Sequence, residues 1–316
     1  MPPRPEPRPE PVLFGKLPDR ADFVRRGAPS PALDALDELV QRALRTGPKP
    51  RTGPLYRMVY APPSGPDALV GGLSLSRDAV GRSYPLVVAR TAPRDALDPH
   101  AAASWPLRWA DVLDDAVATV YGAIERGASL DRVAAHIAEM PPLAPPSGPA
   151  PRVDAHVRAA ASLPASWLWA RLWGDPDPRR PAAILRQLAS SPRRPLTYGL
   201  RFPLPPAAPD FGPADGAAFW LAVCWHLLAT PRHPPTLFWT DGPHDGALTV
   251  FFGGLTHRAL RPLLGGHPDP DTVVRMDLVP EATVRRALGA LPHALARVLR
   301  DPRASVADVL AHLHAF

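Results

Sequence analysis

Two charged segments in the N-terminal third carry most of the side chains that could take part in binding or catalysis. The first reads FGKLPDRADFVRR over residues 14–26, and the second reads SRDAVGRSYPL over residues 76–86. Both are predicted to lie in loops, where their carboxylates and guanidinium groups can pair across adjacent loops through charge-assisted hydrogen bonds. The candidate residues in these segments are Lys16, Asp22, Phe23, Arg25, Arg26, Ser76, Asp78 and Arg82.

Three interpretations of these segments follow from the residue types. The first is a structural network that fixes the two loops. The second is a recognition surface for a protein partner, with exposed arginine and aromatic side chains as anchors. The third is a hydrolase that uses Ser76 with Asp78, but the sequence offers no suitably placed histidine.

Familiar catalytic and cofactor motifs are missing from the rest of the sequence. Gly15-Lys16 lacks the earlier glycine of a P-loop, and there is neither a G-x-G-x-x-G nor an H-E-x-x-H motif. Cys224 is the single cysteine, which excludes intramolecular disulfides and cysteine-based zinc sites, and its apolar neighbours predict a buried structural thiol. The sequence therefore predicts a protein that is not an enzyme, with no metal and no cofactor.

Composition indicates which classes of partner and which cellular compartment are expected. The net charge is +6, but 34 of the 36 cationic residues are arginines scattered in short pairs along 316 residues, which does not favour nucleic-acid binding. The longest apolar run, residues 217–229, has 13 residues, short of the roughly 18 expected of a membrane span. The first ten residues have no apolar signal region. We expect a cytoplasmic protein without membrane insertion.

The periodicity predicts strands alternating with helices in the first half. Strands are expected at residues 12–14, 55–60, 68–75 and 84–89, with residues 16–29 as a loop. Helices are expected at 31–44, with Ser30 as N-cap, and at 109–125 and 129–140.

The second half continues this alternation. Helices are predicted at 155–172, 181–188, 215–229 with Asp215 as cap, 256–264, 280–299 and 305–314. A strand is predicted at 196–202, and a hairpin joins 236–240 to 247–252. The predicted organisation is a proline-rich tail at 1–11, an α/β domain at 12–278 with a proline-rich loop at 141–151, and a C-terminal helical segment at 279–316.

The two charged segments resemble the signature of a known family. The pattern F-G-K-L-P-x-x-x-D-F-V-x-R, followed about fifty residues later by S-x-D-x-V-G-R-x-Y-P-L, resembles that of the TagF family, also called ImpM, of type VI secretion-associated proteins. The resemblance covers residues 12–90 and continues more loosely into 235–264. Asp19-Arg20-Ala21 replaces the family's usual small-His-Gly turn, and Leu75 replaces a common proline.

This resemblance implies a fold and a role that the residue patterns alone do not supply. The implied fold is a three-layer α/β/α sandwich with a mixed central sheet and additional C-terminal helices. The implied role is post-translational repression of type VI secretion by a cytoplasmic, non-catalytic protein. A forkhead-associated scaffold protein or other secretion components are the implied partners. A structural or assembly component of the apparatus is the alternative.

Overall fold

The structure, a computed structural model, describes residues 10–46, 53–145, 150–191, 196–228, 233–242, 245–266 and 269–315. Most of the predicted N-terminal tail, residues 1–9, lies outside the described residues. So do residues 146–149 of the predicted proline-rich loop and residues 243–244 of the predicted hairpin turn.

A central sheet of nine strands organises the described part of the chain. The strands are β1 Pro11–Lys16, β2 Phe23–Arg26, β3 Tyr56–Tyr60, β4 Asp67–Arg77, β5 Ser83–Pro93, β6 Gly199–Pro203, β7 Thr236–Thr240, β8 Ala247–Phe251 and β9 Val273–Arg275. Their spatial order is β2-β1-β5-β4-β3-β7-β8-β6-β9. Every neighbouring pair is antiparallel except β6 and β9, which are parallel, so the sheet is mixed.

The α-helices of the described residues flank this sheet, with four short 3-10 segments between them or after them. They are α1 Pro31–Arg45, α2 Trp105–Arg108, α3 Ala110–Glu125, α4 Leu130–Glu139, α5 Pro151–Ser162, α6 Ala165–Trp173, α7 Arg179–Ala189, α8 Pro213–Leu227, α9 His257–Leu263, α10 Glu281–Ala287, α11 His293–Arg300 and α12 Val306–Ala311. None of the helices in the described ranges is both long and apolar enough to cross a membrane.

Side chains alternate between two hydrophobic clusters on the opposite faces of the sheet, as the period of two in a strand requires. Within β4, Val70 belongs to the cluster that includes residues of α3, α4 and α8, whereas Leu69 and Leu73 belong to the cluster beneath α1 and α9. The layers are therefore helix, sheet and helix, which confirms the expected α/β/α fold class.

The C-terminal helices pack into the first of these clusters. Val284, Leu295 and Val306 are buried there together with residues of α3 and α8. Backbone hydrogen bonds join the start of α12 to the turn before α6, from Ala165 N to Ala304 O at 2.8 Å and from Val306 N to Leu163 O at 3.0 Å.

The strongest local signals predict their elements correctly. Ser30 caps α1, because its hydroxyl oxygen accepts a hydrogen bond from Leu33 N at 3.1 Å. The predicted hairpin is β7 paired with β8, and the first of these strands has the expected bounds of residues 236–240.

Several predicted boundaries are wrong where proline or charge governs the backbone. The expected helix 155–172 is two helices separated at Pro164, and the expected helix 280–299 is divided before Pro292. Asp215 lies in the first turn of α8 instead of preceding it, and its carboxylate accepts from Gly212 N at 2.8 Å. The expected loop at 16–29 contains β2, whose three exposed residues conceal its pairing with β1.

Candidate functional site

Both charged segments lie at the same end of the sheet. β1 and β4 are each antiparallel to β5, which lies between them, so these two strands run in the same direction and end together. The loop after β1 spans residues 17–22, and the turn after β4 spans residues 78–82. The topology therefore brings segments about sixty residues apart in sequence into contact.

The carboxylate of Asp78 is the centre of the contacts between these segments. Its Oδ2 accepts hydrogen bonds from Lys16 Nζ and from Arg82 Nε, both at 2.7 Å. Its Oδ1 accepts from the backbone nitrogens of Val80 at 3.1 Å and Arg82 at 2.8 Å. The Asp78 side chain is fully buried and that of Lys16 nearly so. We call Lys16, Asp78 and Arg82 the ionic network.

These donors determine the charge state of Asp78. Burial alone would raise the pKa of the Asp78 carboxyl, but the hydrogen bonds from Lys16 and Arg82 outweigh burial and hold that pKa well below its usual range. Asp78 is therefore ionised at neutral pH, and its negative charge compensates the buried ammonium group of Lys16.

The turn that carries Asp78 depends on one glycine. Gly81 N donates to Asp78 O at 2.9 Å and Asp78 N donates to Arg82 O at 3.1 Å, which closes the turn. Gly81 has a φ of +85°, in the left-handed region that side chains with a Cβ disfavour, although no atom would contact an added Cβ. The glycine is thus required by its backbone conformation and not by crowding.

Two further contacts attach the turn to the loop after β1. The Arg82 guanidinium donates to Ala21 O, and Ala79 N donates to Arg20 O at 2.8 Å. The ionic network consequently positions the backbone that leads directly into β2.

The other predicted residues of the first segment lie on the protein surface. β2 is an edge strand of the described sheet, and Phe23 is 48% exposed although it is aromatic. Its ring packs at 4.6 Å from Tyr84 and 5.5 Å from Phe14, measured between centroids, and Lys16 Nζ lies 5.8 Å from its centroid. These neighbours support the ring, and about half of the side chain remains exposed.

Charged residues adjoin Phe23 in the sequence of β2 and of the loop before it. Arg25 Nη2 pairs with Asp34 Oδ1 on α1 at 2.6 Å, and both side chains are largely exposed. Asp22 and Arg26 are exposed and have no ion-pair partner within the described ranges. We call Asp22, Phe23, Arg25 and Arg26 the exposed lip.

An open groove of about 490 Å³ runs along the exposed lip, between β2 and the start of α4. Asp19 and Leu130 contribute to it, and the Asp19 carboxylate accepts from Leu130 N at 3.0 Å. Neither residue was among the sequence-based candidates. The acidic type and loop position of Asp19 were visible in the sequence, but its partner lies 111 residues away.

Ser76 is buried and does not contribute to the exposed lip. Its hydroxyl donates to Arg77 O at 3.5 Å. Histidine makes no hydrogen bond to Ser76 anywhere in the described part of the chain, and Asp78 is fully engaged by its cationic and backbone donors. The described residues also contain no cluster of three side chains suited to hold a metal ion.

A comparison with known protein families matches the part of the chain that contains the ionic network and the exposed lip. The family model for the TagF N-terminal domain, described as type VI secretion system-associated, matches residues 12–140. This part of the chain is a TagF N-terminal domain. The match confirms the resemblance seen in the sequence, and the TagF domain includes all eight candidate residues. The matched domain indicates a type VI secretion accessory protein.

A search of the solved structures gives a match of low structural and sequence similarity. The crystal structure of PA0076 from Pseudomonas aeruginosa PAO1 matches with a TM-score of 0.45 and 19% sequence identity, over 82% of this chain and 96% of that chain. No curated protein matches the chain.

Proposed function

We propose that this protein is a cytoplasmic negative regulator of type VI secretion that acts by binding a protein partner through the exposed lip. It acts without catalysis of its own. The partner is a forkhead-associated scaffold protein or another component of the secretion apparatus.

The exposure of Phe23 is the observation that carries this proposal. A large aromatic side chain on the surface, with arginines beside it, has the composition of an interface anchor. Its two ring neighbours hold it in place, so little side-chain freedom remains to be lost when a partner covers it.

The edge position of β2 adds a second means of recognition. An edge strand presents unpaired backbone groups on its outer side, which an extended segment of a partner can use. The groove beside β2 gives such a segment room, and Arg26 and Asp22 offer charges that no described side chain neutralises.

The ionic network has a supporting part in this proposal. It holds the loop before β2 through Ala21 and Arg20, so it fixes the position of the lip without contacting the partner. Loss of binding by a variant of Arg82 could therefore result from unfolding of the loop. Variants of the lip leave the ionic network intact, so loss of binding by them reports on the binding surface itself.

The test is a capture experiment from the host's own cytoplasm, combined with a secretion assay. The tagged wild type, a Phe23→Ala/Arg26→Ala variant and a Tyr121→Ala variant are compared. Tyr121 is a suitable control because it is 50% exposed on α3 and does not line the groove beside the lip. We expect the lip variant to lose a secretion component that the other two proteins retain, and secretion to be derepressed in its host.

Two results would contradict the proposal. Retention of every partner and of repression by a folded lip variant would exclude the lip as the binding surface. Loss of secretion when the gene is deleted would instead favour the alternative, a structural or assembly component of the apparatus.

A further inference from the structure

A cavity lies at the opposite end of the strand order from the ionic network, beside the edge strand β9. Thr249 of β8, Arg201 of β6 and Arg275 of β9 are neighbours in register across the sheet, and all three line the cavity. Pro262 and Leu263 of α9 also line it, and its volume is about 360 Å³. This is at the lower end of the range for small-molecule sites, which starts near 300 Å³.

The remaining lining of the cavity is mainly aliphatic. Besides Pro262 and Leu263, it includes Val273, Val274 and Leu278, and the only aromatic ring among the described lining residues is that of Tyr56. Leu278 is 61% exposed, so the cavity has an apolar rim that is open to solvent. Such walls suit the aliphatic part of a ligand.

Arg201 is the polar group that the fold leaves unsatisfied in this cavity. Its Nε atom is buried and makes no hydrogen bond, and its guanidinium forms no ion pair with any described carboxylate. The neighbouring cation Arg275 differs, since its Nη2 pairs with Asp277 Oδ2 at 2.5 Å. A buried donor without an acceptor is costly, and an anion would relieve that cost.

The carboxylate in the cavity wall does not serve as this anion. Asp269 lines the cavity, but its Oδ1 accepts from Asp271 N at 3.1 Å and lies beyond ion-pair distance of Arg201. Asp269 therefore stabilises its own turn.

Tyr56 places a second donor near Arg201. Burial raises the pKa of Tyr56 to about 12; the charge of Arg201 lowers that pKa and the charge of Asp245 raises it. The hydroxyl therefore keeps its proton at neutral pH. No side chain or backbone group in the described ranges hydrogen-bonds to that hydroxyl.

We propose that this cavity binds a small aliphatic carboxylate, with the carboxylate on the Arg201 guanidinium and the Tyr56 hydroxyl and the hydrocarbon chain against Leu263, Val273 and Leu278. The charge and the lining together define the ligand class. This site goes beyond the proposed regulatory function and does not depend on the exposed lip.

The test uses octanoate as the probe and isothermal titration calorimetry as the measurement. 1-Octanol has the same chain without the charge, and inorganic phosphate has charge without the chain. We expect octanoate to bind the wild-type chain on the order of tenfold more tightly than octanol, the factor that a charge-assisted hydrogen bond supplies. Phosphate should bind weakly.

Variants assign the binding to the cavity. Arg201→Met should reduce the affinity for octanoate to that for octanol. Arg201→Lys should retain part of the preference for octanoate over octanol. Leu278→Glu changes only an exposed rim residue, so it should fold normally and weaken octanoate by charge repulsion. Arg300→Met, on the exposed side of α11, should have no effect.

The proposal is overturned if octanoate does not bind, or if octanol or phosphate binds as tightly as octanoate. It is also overturned if Arg201→Met and Leu278→Glu leave octanoate binding unchanged. A peptide with a free C-terminal leucine that binds far more tightly than octanoate would also overturn it. The site would then recognise the end of a protein chain instead of a small molecule.

Discussion

The ionic network and the exposed lip adjoin each other in the TagF domain but use charged residues in opposite ways. In the network, Asp78 has two cationic and two backbone donors and is removed from water. In the lip, Arg26 has no partner in the described chain, and Arg25 has one exposed partner. Burial of Asp78 and Lys16 makes their pairing structural, because unpaired buried charge is costly, whereas the Arg82 side chain that completes the network is 58% exposed. Exposure leaves the charges of the lip available to a partner.

The largest expected effect comes from breaking the network at its centre. Asp78→Asn removes the charge that compensates the buried ammonium of Lys16, and loss of one member of a buried pair costs roughly 3 kcal/mol or more. Asp22→Asn makes the same change in the lip and should alter the free energy of unfolding by less than about 0.5 kcal/mol. Urea unfolding of both variants measures the contrast, and equal destabilisation would contradict it.

Acid should weaken the network specifically. Because the pKa of Asp78 is lower in the folded than in the unfolded chain, the unfolded chain takes up more protons below the ordinary aspartate value of 3.8. The contribution of Asp78 is fully present above that value and is lost as pH falls below it.

Urea unfolding at a series of pH values between about 5 and about 3 detects this loss. The stability difference between the wild type and Asp78→Asn should shrink toward the acid end. A difference that stays constant over that range would contradict the assigned direction of the pKa shift.

A smaller effect is expected at the turn of the network. Gly81→Ala forces a residue with a Cβ into a positive φ, which costs about 1–2 kcal/mol without any steric contact. The Tm of Gly81→Ala, measured by thermal unfolding, should fall by less than that of Asp78→Asn and by more than that of Asp22→Asn. No change would mean that the turn can adopt another backbone conformation.

A small effect on stability is expected from the exposed ion pair of the lip. Arg25→Ala removes an exposed ion pair with Asp34, which is worth at most about 1 kcal/mol and is screened by salt. The free energies of unfolding of the wild type and this variant should differ at low salt and converge at high salt. A loss that persists at high salt would indicate that the packing of Arg25 over the Phe14 ring matters more than its charge.

The sequence predicts the site only where chemistry is local. The residue types of the two segments indicated that carboxylates and cations could pair, but the specific partner of Lys16 depends on strand order, which places β1 and β4 at the same end of the sheet. Hydrophobic periodicity predicted α1 and the hairpin of β7 and β8, whose signals lie within a few residues.

Short strands with little hydrophobic pattern escaped prediction. β2 has one buried residue, Val24, and pairs with β1 across the loop of residues 17–22. β9 is three residues long and pairs with β6, about seventy residues earlier in the chain. The contact of Asp19 with α4 likewise depends on tertiary structure.

We propose that the exposed lip binds the partner and that the ionic network holds the lip in position. Partner capture by Phe23→Ala/Arg26→Ala tests this directly, with thermal unfolding of the same protein preparation and Tyr121→Ala in parallel. We expect the lip variant to unfold within a few degrees of the wild type, since loss of the aromatic contacts of Phe23 costs about 1 kcal/mol, yet to capture its secretion partner no longer. Undiminished capture by that folded variant would show that the lip is not the binding surface.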